Sequence, residues 1–233
     1  MVQRLLYLST RETSNFLYDG NLLHPESITD YNTALLNQEN TPITVLLDMM
    51  DEEFVQDTIP RVSGRDRQLV LTRKCQSRYR NTPYSYAKVQ EKLPKGENGF
   101  KILMTSQPNP DQISTWIKQI HDREALLTGI SSLPLLSEQV IRTLAPKAEY
   151  TMLITHQKSS GIRQSLFHNQ HLKFSRLTQP PEHINSPEHY AAFIQDEVQK
   201  TKNYLSSLHV LPRRETYTAV YVLSHGDYHQ ALT

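Results

Sequence analysis

Apolar and polar positions follow two different periods along the chain, and the change between them is sharpest across residues 161–208. In 161–168, Ile162, Leu166 and Phe167 are interleaved with polar residues, as are Leu172, Phe174 and Leu177 in the segment that follows. His168-Asn169-Gln170-His171 lies between the two, so the pattern predicts a pair of strands joined by a tight turn. Ser186-Pro187-Glu188 then offers an N-cap serine followed by a residue whose φ is already helical. From there Tyr190, Ile194, Val198, Thr201, Leu205 and Leu208 recur at helical spacing, which predicts one long helix.

Reading the rest of the chain by the same periods gives strands at 2–8 and 15–19, a turn at Gly20-Asn21 and a short return strand at 21–24, an antiparallel meander. A helix is expected at 29–38, and the nearly continuous apolar run 43–49 predicts a buried strand. A strand at 53–59 ends at Pro60, and Ser63 caps a basic helix to about Arg80, with Leu69, Val70 and Cys75 inward. Strands at 85–91 and 100–105 flank a charged, glycine-bearing loop. Asn109-Pro110 opens a helix with Ile113, Trp116, Ile117 and Ile120 on its apolar face. A strand at 125–130, a helix at 135–144 with Leu136, Val140 and Leu144 inward, a strand at 150–155 and a last buried strand at 216–223 complete the series. The order repeats a βββαβ motif, which predicts a duplicated ribonuclease H-like, actin-type α/β fold. The first lobe is expected at 1–147, with an inserted segment at about 53–100. The second, 148–233, is expected to stop one or two elements early, as in a fragment of a longer protein.

Composition narrows the function. A chain of 233 residues buries about 70–75% of its unfolded surface, enough for a real core. With 25 basic and 24 acidic residues the net charge is +1, which gives no overall attraction to nucleic acid or an anionic membrane. The single Cys75 excludes an internal disulfide and a cysteine zinc cluster and suits a reducing compartment. The first eight residues carry one arginine and no small-residue cleavage site, so no secretory signal is read there. The uncharged run 125–137 contains Gly129 and Pro134 and falls short of the roughly 18 apolar residues of a spanning helix. A cytoplasmic protein is expected, placed at the inner face of the bacterial inner membrane only through a partner or sequence beyond Thr233.

Charge is nevertheless concentrated locally. The helix from Ser63 carries Arg65, Arg67, Arg73, Lys74, Arg78 and Arg80 against Asp66 alone. It reads either as a solvated face or as a contact for an acidic protein or lipid, with Arg65 and Arg73 as candidates. Nucleic acid fits less well, because no aromatic residues are interleaved for stacking. Arg163 and Arg176 lie on the two hairpin strands. If they share a surface, they can grip a phosphate or a partner carboxylate; otherwise they pair with Glu197 or Asp196. His168 and His171 flank a turn, and His225 with His229 has the spacing of two ligands on one helical face. Asp227 offers a third ligand and nothing a fourth, so no metal is expected. Ser159-Ser160-Gly161 lacks the glycine before the serine that a nucleophile elbow needs. Asp48, Asp51 and Glu52 are the carboxylates available to a nuclease, which needs three or four on separate elements, and the opening strand supplies none. No catalytic residue and no cofactor are expected.

Several strings together resemble a family: Leu46-Leu47-Asp48 with Asp51-Glu52-Glu53-Phe54 and Ile59-Pro60; Asp66-Arg67-Gln68 with Arg73-Lys74; Thr82-Pro83-Tyr84; Gly129-Ile130-Ser131-Ser132; Gly161-Ile162-Arg163-Gln164; and Phe174-Ser175-Arg176-Leu177. The family is an uncharacterised group of bacterial, largely proteobacterial, proteins. It is similar in turn to the actin-like cytoplasmic components of type IV pilus and type II secretion inner-membrane platforms, of the PilM, GspL and MshI kind. Some of those bind ATP and others do not. Nucleotide binding in such folds uses two hairpins in which glycine lets backbone N–H groups reach phosphate and an aspartate helps hold hydrated magnesium. Here Ser9-Thr10-Arg11-Glu12-Thr13-Ser14 has neither residue, and His156-Gln157-Lys158-Ser159-Ser160-Gly161 has one glycine and no aspartate. The resemblance therefore implies a non-catalytic scaffold domain whose partners are proteins of an inner-membrane assembly, with a ribonuclease H-like or actin-like phosphotransferase or nuclease as the alternative.

Overall fold

The meander expected at the N-terminus forms from β1 (Arg4–Ser9), β2 (Phe16–Tyr18) and β3 (Leu22–Leu23), each antiparallel to the next. The computed structural model describes residues 4–10, 16–18, 22–23, 42–145, 147–157, 161–181, 186–211 and 218–223. The helix expected at 29–38 and the pair His225 and His229 lie outside them. Contacts group the chain into two units, Met1–Leu136 and Ser137–Thr233.

In the first unit β1 pairs in parallel with β4 (Pro42–Asp48), and β4 in parallel with β8 (Leu126–Ser132), so the sheet is ordered β3-β2-β1-β4-β8. A central parallel strand is covered on both faces, which is why β4 reads as a nearly continuous apolar run. Leu6, Leu8, Val45 and Leu47 are buried in it. The helix α2 (Pro110–Asp122) lays Ile113, Trp116 and Ile120 against them, the face its 3.6-residue period predicts.

Between β4 and α2 the chain builds a second, antiparallel sheet from β5 (Glu53–Pro60), β6 (Ser85–Lys92) and β7 (Gly99–Ser106), in the order β5-β7-β6. The helix α1 (Gly64–Arg78) packs on it through Leu71 and Cys75, with Ile59, Phe100, Ile102 and Met104 beneath. Leu69, expected inward, is 53% exposed. Leu71, Cys75 and Tyr79 follow at spacings of four and define the buried stripe, and Leu69 lies roughly 200° around the helix from Leu71.

The helix α3 (Leu133–Leu144) leads into the second unit, where β9 (Tyr150–Gln157), β10 (Gly161–His168) and β11 (His171–Thr178) form consecutive antiparallel pairs. The strand β12 (Thr218–Leu223) pairs in parallel with β9, giving β11-β10-β9-β12. In both units the third, second and first strands and then a parallel one lie side by side. Asn169 and Gln170 have φ of 48° and 66°, the left-handed pair that a two-residue hairpin turn needs. The helix α4 (Pro187–Ser207) starts as expected, the Ser186 hydroxyl accepting the His189 N–H at 3.2 Å. It buries Tyr190, Ile194 and Leu205 against Met152, Ile154, Ile162 and Leu166.

One expected helix face is turned around. Leu136, Val140 and Leu144 are 39%, 40% and 41% exposed, whereas Ile141, Ser137 and Glu138 are buried. Glu138 Oε1 accepts the Leu172 backbone N–H at 3.0 Å, and that bond holds the Glu138, Ile141 and Ala145 side of α3 inward. At Gly161 φ is +111°, and a Cβ there would lie 2.6 Å from the Thr178 carbonyl oxygen. Gly161→Ala is expected to cost about 2–3 kcal/mol in urea denaturation; unchanged stability would refute that constraint.

Candidate functional site

The three carboxylates at the carboxyl end of β4 are each engaged by a different neighbour. Asp48 is fully buried and accepts the Tyr7 hydroxyl at 2.5 Å. Asp51 accepts Asn109 Nδ2 at 2.5 Å, and Glu52 accepts the Thr105 hydroxyl at 3.1 Å. These bonds tie the end of β4 to β1, to the residue preceding α2 and to β7. Among the described residues no three His, Cys, Asp or Glu side chains gather as metal ligands. Of the two turns compared with phosphate-binding hairpins, residues 11–15 and 158–160 lie outside the described residues.

Beside those carboxylates a cavity of about 470 Å³ opens where β4 and β8 end, against β6, β7 and the start of α3. This is the carboxyl end of the parallel strands of the first sheet, the end at which α/β folds hold ligands. Its walls are apolar, from Leu47, Ile130, Leu135 and Leu136 with the Tyr86 ring. Part of its polar lining is buried: Ser106, Gln107 and Ser132 are 2%, 3% and 6% exposed, while Ser85, Lys88 and Ser131 are half-buried. Neither the Ser106 nor the Ser132 hydroxyl has a hydrogen-bond partner among the described residues, and neither has Gln107 Nε2 or Oε1. Buried polar atoms are almost always paired in folded proteins, and each unmade bond costs about 1–3 kcal/mol. Four such atoms belong to three residues that line this one cavity. The Gln107 carboxamide offers a donor and an acceptor together, which is the complement of a peptide group. Its backbone N–H is used separately, donating to the Tyr84 carbonyl at 3.0 Å.

The candidate arginines fall elsewhere. Arg65 and Arg73 are exposed on α1. Their neighbour Lys74 pairs with Asp57 at 2.7 Å. Burial works against that carboxylate's charge, but bonds from Lys74 and the Thr58 N–H outweigh it and hold its pKa below the ordinary value. Arg163 and Arg176 point to opposite faces of their sheet. A two-residue turn alone would set them directly across from each other, but a bulge between Leu166 and Phe167 shifts the register, so Arg163 lies opposite Leu177 and Arg176 opposite Gln164. Arg163 is 3% exposed and donates to the Ser175 hydroxyl at 3.1 Å. Arg176 forms an ion pair with Glu197, one of the two partners weighed for it, and Lys200 joins from 3.1 Å. The Lys200 ammonium is held above its usual pKa by Asp196 first and Glu197 second. Cys75 is buried, and desolvation pushes its thiol up against a weaker opposing bond from Ser85. His168 stacks on Tyr150 at 4.6 Å and sits 3.5 Å from Glu149.

Sequence reasoning passed over Ser106, Gln107 and Ser132. The available signal was position: Thr105-Ser106-Gln107 and Ser131-Ser132 are polar runs that close buried strands. Polar residues at strand ends are also ordinary turn chemistry, so the signal is weak alone.

The strand order repeated in the two units is that of an actin-type, ribonuclease H-like α/β fold. The likeness that carries this is to the PilM-PilN type IV pilus biogenesis complex, with a TM-score of 0.61, 11% identity, and coverage of 100% of this chain and 84% of that one. At that identity the likeness is one of fold. Two further solved structures match with lower scores. One is the cytoplasmic domain of EpsL, an inner-membrane component of the type II secretion system of Vibrio cholerae, at TM-score 0.47 and 10% identity, covering 100% of this chain and 93% of that one. The other is a Bacteroides thetaiotaomicron protein with an actin-like ATPase fold, at TM-score 0.43 and 10% identity, covering 99% and 86%. No protein-family model and no curated protein matches the sequence. Among the described residues no helix is long and apolar enough to cross a membrane.

Proposed function

We propose that this chain is a non-catalytic actin-like scaffold domain that recruits a partner subunit of a pilus or secretion-type envelope assembly at the cytoplasmic face of the inner membrane. The observation that carries the reading is the pocket at Gln107: an apolar rim, set by Ile130, Leu136 and Tyr86, beside buried donors and acceptors that have no partner among the described residues. That combination fits an extended peptide segment, whose side chains enter apolar pockets while its backbone satisfies polar atoms. The likeness to a pilus complex of two named proteins supports a protein as the occupant. In this reading the lobes are 1–147 and 148–233, with the segment at about 53–100 an insertion in the first.

Peptides selected from a random display library against the full chain test it. The selected sequences are expected to bind in calorimetry, and a peptide that binds the Gln107→Leu protein as tightly as the wild type would remove the pocket from the function. A second expectation concerns nucleotide. Asp48, Asp51 and Glu52 are committed to Tyr7, Asn109 and Thr105, so calorimetry with Mg-ATP is expected to give no saturable binding. Saturable binding would replace the scaffold with an ATP-dependent activity.

A further inference from the structure

The end of the three-stranded sheet where β5 stops and β7 begins is strongly cationic. Arg61, Arg67 and Lys92 line a cavity of about 540 Å³ there, together with Val62, Ser63 and Phe100. Lys92 lies opposite Phe100 across the β6–β7 ladder, so both side chains emerge on one face. The Arg67 guanidinium sits 4.4 Å from the centroid of the Phe100 ring and makes a long contact to the Val62 carbonyl at 3.5 Å. Its Nε is buried and has no hydrogen-bond partner among the described residues. The ring thus fixes this guanidinium in place while part of its donor set stays unspent.

Asp57 and Glu91 near this end are held in ion pairs, whereas Asp66 is met by a neutral hydroxyl and Glu97, in the loop between β6 and β7, is exposed. Asp57 pairs with Lys74 at 2.7 Å, Glu91 pairs with Lys101 at 3.2 Å, and Asp66 accepts the Ser63 hydroxyl at 2.6 Å. Among the described residues no ion pair reaches Arg61, Arg67 or Lys92. Asp51, Glu52 and Glu53 stand at the other end of β5. An eight-residue strand sets them about 25 Å away, well beyond the ~8–10 Å over which charges act in physiological salt. The chain as a whole is almost neutral at +1, so this end is a local concentration of charge.

We propose that this pocket binds a phosphate group, carried by a soluble phosphorylated ligand or by a phospholipid headgroup. Three cations arrive from three separate segments: Arg61 after β5, Arg67 on α1 and Lys92 at the end of β6. A carboxylate occupies one guanidinium fork and leaves the other cations unused, whereas a phosphate presents several acceptor oxygens and about −1.5 to −2 charges to all three. The site uses residues apart from the Gln107 pocket and stands independently of peptide recruitment.

The test titrates the full chain with inorganic phosphate and with pyrophosphate by amide-resolved nuclear magnetic resonance. Saturable shifts confined to 61–67, 92 and 100 are expected. Arg61→Glu with Lys92→Glu changes two exposed side chains, and is expected to weaken binding by about tenfold per cation removed with the unfolding temperature unchanged. Arg67→Lys keeps the charge and loses the fork, and is expected to weaken pyrophosphate more than inorganic phosphate. Co-sedimentation with phosphatidylglycerol-containing vesicles, competed by pyrophosphate and lost in the double variant, assigns the headgroup as the source. Phosphate binding without vesicle co-sedimentation assigns a soluble ligand. Shifts spread over the whole surface, no shifts in the folded wild type, or equal affinity in the double variant would each overturn the proposal.

Discussion

Gln107→Leu is expected to make the free protein more stable and its pocket less able to bind. The carboxamide is 3% exposed, with neither polar atom partnered among the described residues, so in the free state it is a desolvated group without return. An apolar side chain of similar size removes that penalty, worth about 1–3 kcal/mol. For a chain of this length the gain corresponds to a rise of about 2–4 °C in unfolding temperature per kcal/mol. The same change deletes a donor and an acceptor from the pocket wall, and affinity for a selected peptide should fall at least about tenfold, near 1.4 kcal/mol. Opposite signs in the two readouts are what separate a binding residue from a packing residue. A variant that loses stability and keeps its affinity would show that Gln107 is structural.

A large loss of stability is expected at Glu197. Its side chain is 8% exposed and holds Arg176, which is 33% exposed and has a buried Nε without a partner among the described residues. Breaking a buried pair from one side typically costs 3–5 kcal/mol, because it strands the other charge. The partial exposure of Arg176 lets water screen part of that cost, so about 2–3 kcal/mol is expected for Glu197→Ala, read as a shift in the urea midpoint. Replacing both members, Arg176→Met with Glu197→Leu, should recover most of it, since apolar substitutes for a buried pair are often neutral. A double variant no better than Glu197→Ala would mean that the loss comes from the helix itself.

Long segments with one unambiguous period were legible from the residues. The run that became β4 was apolar almost throughout, and those that became α2 and α4 could bury only one set of side chains, with Pro110 and the Ser186-Pro187 cap at their starts. Ambiguity arose where apolar residues surround a helix. In α3, Leu135, Leu136, Val140, Ile141 and Leu144 allow two buried stripes, and the choice was made by the bond from Leu172 to Glu138, which no local pattern encodes. The arginines of the hairpin part to opposite faces for a comparable reason, and Arg176 takes Glu197, one of the two partners expected in that case. Turn length fixes a register, but one bulge at Leu166 moves every residue beyond it to the other face. The pocket was illegible because its walls come from four strands and a helix far apart in sequence, and because a buried amide without a partner has no signature until its neighbours are known.

The pairing of the strands also sets an order of assembly. Arg4 pairs with Ile43 and Val45 with Ile130, so the first sheet cannot close until almost the whole of its unit has been made. The strands from Tyr150 to Thr178 pair with immediate neighbours, β10 with β11 through a two-residue turn, and such local contacts form fastest. In refolding, amide protection should therefore appear first in residues 150–178. On the ribosome the disadvantage falls on the eight residues of β5, whose only strand partner among the described residues begins at Gly99. Until Gly99–Ser106 emerges, that strand presents a bare edge to other nascent chains, and misassociation during synthesis should begin there.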